Sequence, residues 1–284
     1  MKFACVGGDR RQIETALRLK NLGHNVSISG LPAVSSFYDL GNLSKISEFD
    51  AVILPIPVTK DGRTINTPLT NDIIFIHDLL EKHPKRVFGG MIKQKLIEEL
   101  DSHNIKYHDY YKSEALTVKN AVLTAEAAIA IAINCTDFAI FGSKALVIGY
   151  GRIGRQLAKY LKSLGASVIA SSRDAGRRAI IETDGITAID SAECYTVASE
   201  CDYVFNTAPS PIMNSCFFEN CKKSAFVEDL ATDAGTDFAA ASRFGINAAL
   251  YSSLPGKHSP ITAASYIARE ILENINSNNT SHGG

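Results

Sequence analysis

The chain has 284 residues, enough at about 150 per domain for two domains that each bury a core. Hydrophobic residues make up 45%, and 29 Lys and Arg against 30 Asp and Glu leave a net charge of -1. That balance advertises neither a nucleic-acid partner nor an anionic membrane. Met1-Lys2 leads into an apolar stretch too brief for an export-signal core, and six scattered cysteines form neither a metal-ligand nor a disulfide pattern. A cytoplasmic location, reduced thiols and no metal site are the expectations.

In chain order, Phe3-Ala4-Cys5-Val6 reads as a buried strand, 10–22 as an amphipathic helix and 25–29 as a second strand. Ala51-Val52-Ile53-Leu54-Pro55 and Arg86-Val87-Phe88-Gly89-Gly90 continue the alternation, each apolar run ending in Gly or Pro. This is βαβ punctuation for a parallel sheet. Ligands of such sheets sit beyond the carboxyl ends of the strands, so Gly7-Gly8-Asp9, Pro55-Ile56-Pro57 and Gly89-Gly90 are expected to line one rim. Residues 120–133 are apolar nearly all round, which suits a helix packed on two sides at the domain junction; the run falls short of the ~20 residues that span a bilayer. Within it Glu126 has two readings: a tuned acid or base, or a first-turn charge complementing the helix dipole.

A second series begins at Lys144, with strand 145–148, helix 152–164 and strand 167–171. Ile153, Leu157, Tyr160, Leu161 and Leu164 recur at helical spacing, so one face of that helix packs on a sheet. Strands follow at 203–205, 225–227 and 248–251, then a final helix over 262–275 and a polar tail. The fold class expected is α/β, with two Rossmann-like doubly wound parallel-sheet domains and an interdomain cleft. The boundaries are 1–118 for a substrate-side domain, 119–276 for a cofactor domain with its linking helices, and 277–284 for a flexible tail. Periodicity leaves open which sheet the last helix covers.

Gly149-Tyr150-Gly151-Arg152-Ile153-Gly154 follows an apolar strand and opens an amphipathic helix, the context that makes this spacing a dinucleotide fingerprint. Gly149 permits the tight turn, Gly151 the approach of a pyrophosphate, and Gly154 close helix-strand packing. The helix N-terminus offers N–H groups to the phosphates. At the end of the next strand, where an acidic residue would bind the ribose of NAD, the chain reads Ser171-Ser172-Arg173. Two hydroxyls and a guanidinium favour a 2′-phosphate, so NADP is expected over NAD. Asn206, Thr207 and Asp229 follow later strands and either orient the nicotinamide end or cap their own loops. Residues 253–260 form a Pro/Gly-held loop that presents Lys257 and His258. His258 is the best-placed histidine for proton transfer, His24, His77, His83 and His103 lying in surface-like segments.

Taken in order, Gly7-Gly8-Asp9, Tyr110-Tyr111, Thr124-Ala125-Glu126, the glycine fingerprint, Asn206-Thr207, Asp229-Leu230-Ala231 and Ser253-Leu254-Pro255-Gly256-Lys257 resemble the dipicolinate synthase A-subunit family. The resemblance covers nearly the whole chain apart from its tail. It implies NADP-dependent oxidation of dihydrodipicolinate to pyridine-2,6-dicarboxylate during sporulation, in the mother-cell cytoplasm. It also implies a separately encoded partner, the dipicolinate synthase B subunit, which is flavoprotein-like; self-association stays open. A base is then required, for which His258, Lys257 and Glu126 are the candidates. The dicarboxylate substrate calls for donors among Gly8, Asp9, Arg10 and Lys257 on the substrate side, with Arg11 and Lys119 as further cations. Two other readings stand: a different two-domain dehydrogenase of the 2-hydroxyacid type, though no Arg, Glu and His set matches its spacing, and a non-catalytic NADP-binding regulatory subunit.

Overall fold

The computed structural model describes residues 1–41, 43–231 and 235–280, the last three by their backbone. Two compact units are formed: 1–119 together with 259–284, and 120–258. The first contains β1 (Lys2–Val6), α1 (Arg10–Asn21), β2 (Asn25–Ser29), β3 (Tyr38–Asp39), β4 (Ala51–Ile53), α2 (Ile76–Leu80), β5 (Arg86–Gly89), α3 (Gln94–Ser102) and β6 (Lys106–Asp109). Helix α4 (Glu114–Asn134) then leads into the second unit. There follow β7 (Lys144–Ile148), α5 (Arg152–Ser163), β8 (Ser167–Ser171), α6 (Ala175–Thr183), β9 (Thr187–Ile189), α7 (Cys194–Val197), β10 (Tyr203–Asn206), α8 (Ser215–Glu219), β11 (Phe226–Asp229), α9 (Phe238–Arg243), β12 (Ala248–Leu250) and α10 (Leu254–His258). The chain ends with α11 (Pro260–Thr280).

Both sheets have six strands and the same order, β3-β2-β1-β4-β5-β6 and β9-β8-β7-β10-β11-β12. Every pairing is parallel. The order reverses beside β1 and beside β7, and a crevice at such a switch point is where this architecture binds ligands. Strand alternation explains why the central strands are apolar throughout. Ala145 and Val147 enter a core with Leu157, Leu161 and Phe205, whereas Leu146 and Ile148 enter another with Val204, Phe217 and Phe218. A sheet covered on both faces needs both residue sets apolar. The first sheet repeats this, with Phe3 and Cys5 on one face and Ala4 and Val6 on the other.

Helix α4 begins at Glu114, earlier than its apolar run, and by length and composition it is the one described helix able to cross a membrane. Its Ala125, Ala128 and Ala132 are nevertheless fully buried in the second unit's core, the packing of an interior helix. The last helix departs from the boundaries expected. Ile267, Ala268, Ile271 and Ile275 are buried against Ala16 and Leu19 of α1, so 259–276 belong with the first unit rather than the cofactor domain. His108 of β6 joins this contact, its Nε2 lying 3.3 Å from Glu270 and its Nδ1 3.1 Å from the Asn274 amide. The helix also runs to Thr280, through the start of the tail expected at 277, while 281–284 lie outside the described residues.

Candidate functional site

The β7–α5 turn is built as its glycines require. Gly149 has φ +91°, a left-handed conformation that side chains resist, and its N–H donates to Ser171 O at 3.1 Å. A Cβ at Gly154 would lie 2.1 Å from Gly149 O, so only glycine lets α5 start this close to the strand. At Gly151 a Cβ would meet nothing within 4 Å, and the residue caps α5 without a side-chain bond. That open face, at a helix end where N–H groups lack intrahelical partners, fits a pyrophosphate. Arg152 and Ile153 continue the first turn, Ile153 packing on the core.

Tyr150 contributes to this site through its backbone alone. Its ring is buried and its hydroxyl donates to Asp184 Oδ2 at 2.9 Å. Arg155 Nε reaches the same oxygen at 2.9 Å and holds the Asp184 carboxyl below the usual carboxylate range. The side chain at the centre of the fingerprint thus ties the turn to the α6–β9 connection and does not reach outward.

On the ribose side the three nominated residues separate. Ser171 is fully buried and its Oγ accepts from Ser191 Oγ at 3.2 Å, because strand alternation turns it beneath the sheet; it is withdrawn as a phosphate ligand. Ser172 is buried, and its Oγ accepts from Asp174 N at 3.2 Å. Arg173 is exposed, and its guanidinium has no hydrogen bond or ion pair among the described residues. It lines a cleft of 430 Å³ with Tyr195, Ser210, Asn214 and Cys216. No carboxylate stands on that cleft among the described residues.

Beyond β10 and β11 the polar residues mostly hold their own loops. Thr207 Oγ1 donates to Ile148 O at 3.0 Å and Gly149 O at 3.2 Å, bracing the glycine turn. Asp229 is fully buried. Its Oδ1 accepts from Ala231 N at 2.9 Å and its Oδ2 from Gly235 N at 3.0 Å and Thr236 Oγ1 at 2.6 Å. Of the two readings held for these residues, loop capping is the one observed. Asn206 Oδ1 accepts from Ala208 N at 3.0 Å, while its buried Nδ2 has no partner among the described residues. Sequence reasoning passed over Glu228, which is fully buried with both carboxylate oxygens unpartnered among those residues. A carboxylate inside an apolar strand was the available signal.

At the first sheet's rim, Gly8 has φ +109° and its N–H donates to Asn66 O at 2.8 Å. Asp9 caps α1 through Arg11 N at 3.0 Å and pairs with the Arg11 guanidinium at 2.7 Å. Arg11 also donates to Ile56 O at 3.0 Å. Asp9 and the Nε and Nη2 of Arg11 are thus engaged within the rim. Lys119 lies 5.3 Å over the Tyr266 ring. Arg10 is exposed, with no hydrogen bond or ion pair among the described residues, and is the cation left at this rim.

The proton-transfer candidates fare unequally. Glu126 is exposed in the middle of α4, so the first-turn reading held for it does not apply. The segment expected as a loop at 253–260 contains α10, entered through Ser253 at φ +57°. Lys257 and His258 are exposed on its last turn.

The fold and the turn define the second unit as the nicotinamide-dinucleotide domain of a dehydrogenase. Accordingly, residues 132–231 match the NAD-binding domain of D-isomer specific 2-hydroxyacid dehydrogenases. Apo D-lactate dehydrogenase from Escherichia coli shares the fold, with a TM-score of 0.66 and 15% identity over 98% of each chain. Residues 2–111 instead match the N-terminal domain of the dipicolinate synthase A subunit. The dipicolinate synthase A subunit of Bacillus subtilis (strain 168) is 28% identical over 280 residues, covering 95% of this chain and 94% of the relative. The crystal structure of its counterpart from Bacillus halodurans has a TM-score of 0.87 and 27% identity over 96% of each chain. Along nearly its whole length, the chain is similar in sequence and fold to the dipicolinate synthase A subunit.

Proposed function

We propose that the chain is the A subunit of a dipicolinate synthase, oxidising dihydrodipicolinate to pyridine-2,6-dicarboxylate with NADP+, together with a separately encoded B subunit, in the mother-cell cytoplasm of a sporulating bacterium. The observation that carries this reading is the joining, in one chain, of a first domain matching the dipicolinate synthase family to a second with an intact dinucleotide turn. Arg173, without a hydrogen bond or ion pair among the described residues, lines a cleft on which none of those residues places a carboxylate; this favours the 2′-phosphorylated cofactor, since a guanidinium pairs with phosphate by charge-assisted hydrogen bonds.

NADP+ supplies the two-electron acceptor. What remains for the protein is to hold a dianion and remove one proton. Of the candidates read from the sequence, Arg10 and Lys257 are exposed cations suited to a carboxylate, and His258, followed by Lys257, is the candidate for the proton.

The purified chain, alone and with the B subunit, is mixed with enzymatically generated dihydrodipicolinate and either cofactor while nicotinamide and pyridine absorbance are followed. Coupled appearance of NADPH and the aromatic product supports the reading. Oxidation of a D-2-hydroxy acid in place of dihydrodipicolinate overturns it. For the cofactor, Arg173→Ala is expected to weaken NADP+ about tenfold and leave NAD+ nearly unchanged; an equal loss for both would contradict the phosphate role.

A further inference from the structure

A second arginine is built into the ribose side of the site, and its bonds are directed inward. Arg178, on α6, uses Nη1 for three acceptors: Ser172 O at 2.8 Å, Arg173 O at 2.9 Å and Asp190 Oδ2 at 2.8 Å. Two consecutive peptide carbonyls of the loop that carries Arg173 are therefore fixed by one guanidinium. Asp190 is itself fixed, its Oδ1 accepting from Ala192 N at 3.0 Å. Both cofactor-side segments of this cleft, 172–173 and 190–192, thus meet at Arg178.

Apolar packing alone would hold this part of the fold weakly. Ile181 is the only fully buried side chain of α6, and the polar clamp adds a tie between the helix and the loop before it. Asp174 completes the loop, donating its N–H to Ser172 Oγ at 3.2 Å and capping α6 through Arg177 N at 2.8 Å. Charge divides the two arginines as well. Arg178 is neutralised by Asp190, whereas Arg173 has no counter-charge among the described residues and lines the cleft.

We infer that Arg178 is a positioning residue for cofactor selectivity: with Asp190 it fixes the Ser172–Arg173 backbone so that Arg173 is presented to an anionic group on the adenine-side ribose. This rests on the NADP reading above. Arg178 touches no ligand itself; it acts through Arg173.

The test is a double-mutant cycle read by binding of NADP+ and NAD+ to the full chain, with Arg173→Ala, Arg178→Gln and the double variant. Arg178→Gln is expected to weaken NADP+ about five- to tenfold and to change NAD+ by less than about twofold, NAD+ binding showing that the domain is folded. In the Arg173→Ala background it is expected to cost nothing further, and Arg178→Lys to restore part of the selectivity. Equal losses for both cofactors would reduce Arg178 to general scaffolding. Additive losses would place it directly on the phosphate. Either result overturns the inference. A selective loss with Arg173→Ala but none with Arg178→Gln rejects the clamp and keeps the NADP reading, whereas no selective loss at Arg173 rejects both.

Discussion

Glu228 is the residue whose environment departs furthest from the ordinary. Fully buried on β11 and unpartnered among the described residues, its carboxyl is pushed up to about 9 by burial. It is therefore protonated at neutral pH, while an unfolded glutamate titrates near ~4.3. Between those values the folded chain keeps a proton that the unfolded chain has released. The contribution of this group to stability is accordingly whole below the unfolded value and declines as pH rises towards 9, by at most ~1.4 kcal/mol per pH unit. Glu228→Gln keeps the shape and removes the titration. In urea denaturation the variant is expected to gain on the wild type between pH 5 and pH 8; identical pH dependence of the two proteins would show that Glu228 ionises freely. Residue type alone did not give the roles of Ser171, Asp229 and Asp9. Each is a polar residue at or after the end of a strand, but its oxygens hold the local backbone or a neighbouring side chain, and sequence shows which groups are polar without showing which are already bonded.

At the scale of elements, the turn between β7 and α5 separates two glycines that look alike in sequence. A methyl group at Gly154 would meet the Gly149 carbonyl, a backbone atom that cannot rotate away, whereas one at Gly151 would meet nothing in the protein. Gly154→Ala is thus expected to destabilise the fold by about 1–3 kcal/mol, the range for overpacking. Gly151→Ala is expected to leave the thermal midpoint unchanged and to abolish tight dinucleotide binding in calorimetry; retained binding would move the pyrophosphate elsewhere. Long elements with strong periodicity, α1, α5 and the central strands, were legible in the sequence because their apolar spacing follows their burial. The two-residue β3, the polar-containing β6 and the short α10 were not, since brief edge elements and single turns carry too few buried residues to print a period. The fingerprint was legible for a different reason: its glycines are demanded by backbone geometry alone. The direction of the Tyr150 side chain, between them, was not legible, because the motif fixes a backbone path and says nothing of where its variable side chain turns.

For the whole molecule, the decisive feature is that the first domain is discontinuous. Its core includes Ile267, Ala268, Ile271 and Ile275 of α11, which lie in sequence after the entire second domain. The final helix carried the right apolar stripe for a sheet-packed helix, but a stripe matches any complementary apolar face, so its destination could not be read from spacing. The consequence is an asymmetry between the domains. Residues 120–258 include every strand of the second sheet and both of its hydrophobic clusters, so that segment holds its whole core. Residues 1–119 lack these four members of the core, three of them isoleucines, and losing even one such large aliphatic group typically costs about 2–5 kcal/mol of a stability that is only ~5–15 kcal/mol in total. The segment 120–258, produced alone, is expected to unfold cooperatively and to bind dinucleotide, whereas 1–119 is expected to remain unfolded until a peptide of residues 259–284 is added. Circular dichroism and amide exchange on the two fragments decide the matter: a cooperatively folded 1–119 without the peptide would show that α11 only covers this domain and does not complete it.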